Sequence, residues 1–358
     1  MRRLVLALGA SALLAVAAFS PVSAAASGRP ANQPPPEQCP VVVASTTLLT
    51  DCVGPLMVLS DHVIVNLGDH EILCTGARDG VVLLNRFKVQ VLNGVIRGCR
   101  NGIRVDGGGE HDFSDLEILG GTNGINVRLS SGNRLRGIDI RATTLMGVVL
   151  ATSSGNHLTN LSVSEAGSGV YLSRAAVGLA GSVDNRLERL QIVNSRLDGL
   201  VLDFDSNDNT LHFSRVSGSG RAALYLWGSR NLIVGNTFRA TRGSQPALPG
   251  NGTGLLAIGP SNDNVIRLND ASNNARYGIQ VLGQRNQIEA NRASNNGEAG
   301  ITAGAAPEAS AGVGNRFRAN FTLRNGQHDL ADYPPGPCTL NVWTLNQGVK
   351  LYDGCEKG

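Results

Sequence analysis

The sequence predicts an all-β solenoid, a coil of short parallel strands with one turn per repeat. Three observations predict it. First, Asn, any residue, then an apolar residue recurs at Asn133, Asn156, Asn185, Asn209, Asn231, Asn264, Asn286, Asn315 and Asn341, at spacings of 22 to 33. His111-Asp-Phe starts the same pattern with His in place of Asn. Second, a Gly-apolar pair runs in step, as at Gly102-Ile, Gly124-Ile, Gly147-Val, Gly169-Val, Gly278-Ile and Gly300-Ile. Third, each pair opens a period-two alternation such as IRV, INV, VYL or IQV, the mark of a short strand with one buried face.

Each element then follows. A period near 22 is too short for a four-stranded propeller blade, which takes about 40 residues. The 3.6-residue period of helical repeats is absent, and the leucine-rich order is not kept. Stacked turns of parallel strands remain, about 4.8 Å apart. Asn suits the tight corners, since it tolerates left-handed backbone and its amide bonds nearby backbone. Stacked corners align the amides as a ladder, which avoids about 1–3 kcal/mol for each polar group otherwise buried unpaired. A second ladder is expected five residues on, at Asn236, Asn269, Asn291 and Asn320. Gly in the other series relieves crowding where the chain bends into the next strand.

The 358 residues include 45 Gly and few charges, at 16%. Arg2 and Arg3, the apolar run 4–19 and Ala24-Ala25-Ala26 read as a signal peptide over 1–26. That run is shorter than the roughly 20 residues needed to span a bilayer. No membrane span is expected, and the chain is read as secreted or periplasmic. Residues 27–38, with Pro34-Pro35-Pro36, read as an extended linker. Without residues 1–26 the chain has 29 basic and 28 acidic residues, which argues against nucleic acid or a polybasic membrane role. Lys is scarce, so the basic charge is almost all Arg. Six Cys in an exported chain favour disulfides.

The order N-x-I-x-x-N, a polar stretch, then G-I-x-V resembles the right-handed parallel β-helix repeat over about residues 58–345. That family includes pectate-lyase-like proteins, the carbohydrate-binding and sugar-hydrolase group, alginate epimerases and a periplasmic protein of nitrous-oxide reductase maturation. Residues 63–72 resemble the V-x-x-D-L-x-G-H-x-I stretch of such proteins, with Asn66 in place of Asp. Residues 93–98 resemble the N-G-x-I-x-G of the next turn. The resemblance implies a right-handed parallel β-helix of about ten to twelve turns. It would be one domain over 39–358, with caps at 39–57 and 334–358, and a monomer. Cys74 and Cys99 lie at near-equivalent places of two stacked turns, so they are expected to pair. Cys39 with Cys52 and Cys338 with Cys355 would then pin the caps.

Function has to lie in what fails to repeat. Long turns are expected at 173–184, 240–253 and 303–314, carrying Arg174, Arg242 and Glu308. The outward positions of the Gly-apolar strand are Arg104, Asn126, Val149, Tyr171, Val201, Tyr225, Leu256 and Gln280. A second outward row holds Asp106, Arg128, Asp203 and Trp227. Rings beside acids and Arg on one face suit a sugar chain, so Tyr171, Tyr225, Trp227, Arg104 and Asn126 are the expected polysaccharide-binding residues. The alternative is a lyase, hydrolase or epimerase of acidic glycans, with Asp203, Asp205, Arg128 and Arg174 as catalytic candidates. The catalytic signatures of the enzymes in the resembling family are missing, so whether the chain is an enzyme stays open. Asp203 and Asp205, read as alternating on one strand, would suit a carboxylate pair or Ca²⁺. No other cofactor or metal is implied. His111, in a corner slot, reads as structural. A structural or surface protein without a small ligand is the third reading.

Overall fold

The computed structural model describes residues 36–353, except 76, 246, 247, 249, 305–311 and 334–340. The expected signal segment, linker residues 27–35, Glu308, Cys338, Cys355 and, in the expected C-terminal cap, residues 334–340 and 354–358 lie outside the described residues.

The described chain is an all-β parallel solenoid. Its strands form two parallel sheets, a narrow one of 14 strands and a broad one of 21. The narrow sheet is built from the Gly-apolar strands, such as Asn101–Gly109, Ser168–Ser173 and Leu200–Leu202. In most later turns the broad sheet takes two three-residue strands, such as Thr210–His212 and Arg215–Ser217. The register stacks like on like: Ile103 on Ile125, Ile125 on Val148, Val148 on Val170, Val170 on Leu200. Those inward residues are fully buried, as are Phe113, Phe238 and Phe317 in the broad sheet. Alternation therefore sets the register, because a slip of one residue would expose every inward side chain.

The corners carry the ladders. Asn286 Oδ1 accepts both the backbone N–H of Asn264, at 2.9 Å, and its side-chain amide, at 3.0 Å. Asn286 in turn donates to Asn315 Oδ1 and to Ser261 O. The second ladder runs through Asn236, Asn269, Asn291 and Asn320. A third, not expected from the sequence, links Asn274, Asn296 and Asn325. Its signal was in the same five-residue spacing: Asn264, Asn269, Asn274, then Asn286, Asn291, Asn296. His111 heads the first ladder, its N–H donating to Asn133 Oδ1.

The bends need Gly. A Cβ at Gly278 would stand 2.6 Å from Gly300 O and 2.7 Å from Ala271 O. Gly278→Ala is therefore expected to cost about 1–3 kcal/mol, as overpacking does. Urea unfolding should show a lower midpoint with an unchanged slope; an unshifted midpoint would refute the crowding.

Disulfides join Cys39 to Cys52 and Cys74 to Cys99, each with Cα atoms 4.8 Å apart. Within the stretch 39–57, Cys52 pairs with Ile72 and Val41 with Met57, one pairing in each sheet. Glu37 and Gln38, read as linker, already pair with Cys52 and Val53.

Candidate functional site

The outer face of the narrow sheet gathers the chemistry. Its register runs Arg104, Asn126, Val149, Tyr171, Val201, Tyr225, Leu256, Gln280, each beside the next. Asp106, Arg128, Ala151 and Ser173 form the row beside it.

The N-terminal half is polar. A cleft of about 290 Å³ is lined by Arg100, Asn101, Arg104, Asp106, Asn126 and Arg128. Buried Asp79 anchors its floor. It accepts from Arg100 at 3.0 and 2.7 Å and from Asn101 at 2.8 Å. Burial alone would raise the Asp79 carboxyl, but those hydrogen bonds and the nearby guanidinium charges hold it below the usual carboxylate range. Arg104 bridges Asp79 and Asp106. Arg128 is exposed, and among the described residues its one hydrogen bond goes to the carbonyl of Ala175, at 3.4 Å, in the turn 173–184. Its guanidinium is thus the one in the cleft left with charge to offer an anion, with the Asn126 amide beside it.

The C-terminal half is aromatic. The Tyr171 hydroxyl donates to Asp203 Oδ2 at 2.8 Å, and burial together with that carboxylate pushes the phenol far above its ordinary value. Trp227 meets Phe204 edge-on at 5.9 Å and Tyr225 at 6.5 Å. Arg174 lies 5.3 Å over the Phe204 ring. Among the described residues the buried Trp227 indole N–H has no acceptor.

Two expectations change here. Tyr225 is only 8% exposed and is not an open stacking surface. Arg221, clamped to buried Asp198, covers its ring at 4.2 Å. Val201, Ala222, Tyr225, Leu256 and Leu282 form a second apolar cluster outside the coil, and Gly250 of the long turn 240–253 lies against Leu256. Asp203 and Asp205 do not alternate on a strand. The strand ends at Leu202, and Asp205 sits in a turn with φ 62°. Among the described residues no set of three or more His, Cys, Asp or Glu gathers to hold a metal ion.

Sequence reasoning missed Asp79, Arg100, Asp198 and Arg221. A signal existed: Arg stands just before the strand in Arg100-Asn-Gly and Arg221-Ala-Ala, and acid precedes Gly in Asp79-Gly-Val and Asp198-Gly-Leu.

A family model described as "Right handed beta helix region" matches residues 79–239 and 175–356. Several solved structures share the fold. The A-module of a mannuronan C-5 epimerase from Azotobacter vinelandii is 12% identical, covers 85% of this chain and 91% of its own, and gives a TM-score of 0.51. A variant of a periplasmic alginate epimerase is 12% identical, with coverages of 84% and 77% and a TM-score of 0.52. The catalytic domain of an α-1,3-glucanase bound to tetrasaccharides is 13% identical, with coverages of 88% and 71% and a TM-score of 0.53. No curated protein matches in sequence.

Proposed function

The chain belongs to the right-handed β-helix family, and from that premise we propose that it binds a polysaccharide along the outer face of the narrow sheet, outside the cytoplasm and as a monomer. The observation that carries this reading is one register row. It joins the Arg104–Asn126–Arg128 cleft to Tyr171, with Asp203 and Trp227 alongside. Asn126 and Tyr171 are two rungs apart, about 10 Å at the usual strand spacing. A chain laid across the rungs meets a cation and amides at one end. At the other it meets the half-buried Tyr171 and Trp227 rings and the Asp203 carboxylate. The structural neighbours are glycan-active proteins, which makes glycans the class to test first. The two disulfides suit an oxidising compartment.

Arg128 directs the choice toward a uronic-acid polymer, whose carboxylate the free guanidinium holds. Affinity electrophoresis in gels containing such a polymer tests this. Retardation should fall about ten-fold in Trp227→Ala and in Arg128→Gln, the loss expected for about 1.4 kcal/mol each. No retardation of the native chain by any glycan sinks the reading and leaves a structural or surface protein.

One observation favours processing over binding alone: Asp203, at the end of its strand, is hydrogen-bonded to the Tyr171 hydroxyl. A carboxylate beneath a bound sugar supplies a proton acceptor, and the Tyr171 hydroxyl holds it in place. Incubation with uronic-acid polymers, with and without Ca²⁺, should then change chain length, unsaturation or epimer content. Asp203→Asn should abolish that change while binding persists.

A further inference from the structure

The bend between the two strands of the broad sheet is made by a single residue with positive φ. Phe213, Gly235, Leu268, Ala290, Ala319 and Leu345 fill it in successive turns, with φ between 48° and 67°. They stack in register: the N–H of Phe213 reaches Val234 O, that of Gly235 reaches Arg267 O, and that of Leu268 reaches Glu289 O. They form a ridge along the coil. Left-handed backbone favours Gly or Asn, and bulky residues there are outliers. Phe213, Leu268 and Leu345 are nevertheless apolar, and they are 64%, 60% and 73% exposed. The fold gains little from burying them and bears the backbone strain. The Phe213 ring crosses Gly235, where an added Cβ would come within 2.9 Å. Outliers of this kind point to a use.

Arginines flank the ridge. Arg267 and Arg318 stand on one side, Arg215 and Arg292 on the other, all exposed. Among the described residues none of the four has a carboxylate at ion-pair distance. Arg215, Ser217, Thr237 and Arg239 enclose an open cleft of about 360 Å³. Glu289 is the carboxylate in the row of Arg267 and Arg318, one rung from each. The near-neutral balance of the whole chain thus hides a local excess of guanidinium.

We infer that this ridge docks on an anionic lipid surface. Apolar tips enter the boundary layer while the flanking guanidinium groups meet the headgroups. A polyanionic chain would neutralise the arginines but leave Phe213, Leu268 and Leu345 in water. An apolar protein groove would take the tips and strand the charges. Only a surface that is anionic outside and apolar beneath satisfies both rows. Among the described residues no helix is long and apolar enough to cross a membrane.

Co-sedimentation of the full chain with vesicles tests this. Binding is expected to phosphatidylcholine vesicles containing phosphatidylglycerol, not to phosphatidylcholine alone, and it should weaken as salt rises. Phe213→Asn with Leu268→Asn should lower binding about ten-fold or more. The thermal midpoint should stay or rise, since Asn suits left-handed backbone. Arg215→Gln with Arg267→Gln should weaken binding as well. No binding to anionic vesicles overturns the inference, and so does binding unchanged in the Asn pair. Retention on heparin without vesicle binding assigns the face to a polyanion and also overturns it. Glycan binding on the narrow sheet should be unaffected by either pair, so the two readings fail separately.

Discussion

Asn286→Ala should lower the folding free energy by about 3–5 kcal/mol. The amide of Asn286 works in both directions. Its oxygen accepts the Asn264 backbone N–H, and its NH₂ donates to Ser261 O. Both partners are in the buried corner, where an unpaired group costs about 1–3 kcal/mol. Asn264 Nδ2 keeps one partner, Gly228 O, at 3.2 Å, so it adds less. Equilibrium urea unfolding should show the drop as a lower midpoint. Gln287→Ala, at the exposed neighbouring position, should stay within about 0.5 kcal/mol. A loss under 1 kcal/mol at Asn286 would mean that water or backbone adjustment replaces the ladder.

The second large effect is acid sensitivity at His111. This side chain is 1% exposed. Burial lowers its pKa from the usual 6.5 to about 4, against a weaker opposing pull from the charge of Asp61. Val89 N–H donates to Nδ1 at 3.2 Å, which suits the neutral ring. The folded pKa is depressed, so between about pH 6.5 and 4 the unfolded chain binds a proton that the folded chain does not. Stability from this group is full above the unfolded pKa and is lost as pH falls through that window, by about 3 kcal/mol in all. His111→Asn places in the slot the residue used by later turns and removes the titration. Urea midpoints of the two proteins at pH 7, 5.5 and 4 should diverge steadily. Parallel curves would show that His111 is solvated or already charged in the fold.

How much of this could be read in advance depends on what repeats. Asn133 to Asn315 revealed their ladder because the same corner recurs in every turn, so the same local choice is written again and again. The outward row from Arg104 to Gln280 was legible for the same reason, since alternation plus a constant repeat defines both face and register. Asp203 and Asp205 were misplaced because a period-two pattern extrapolated past Leu202 cannot show where a strand stops. Tyr225 was read as open because the residues over it, Arg221 and the turn 240–253, belong to no repeat. Phe213 and Leu268 looked like ordinary apolar residues between strands. Only backbone geometry shows that they sit at left-handed bends facing solvent.

Local preferences written in the chain set the coil, its inward rows and its corner amides. Each is a local preference, and stacking multiplies a local preference along the whole axis. The tertiary structure alone decided which outward side chains are covered, which arginines lack a carboxylate and which carboxylate meets Tyr171. Those facts depend on single pairings between residues that the winding of the coil brings together, and a pairing that occurs once leaves no period in the sequence.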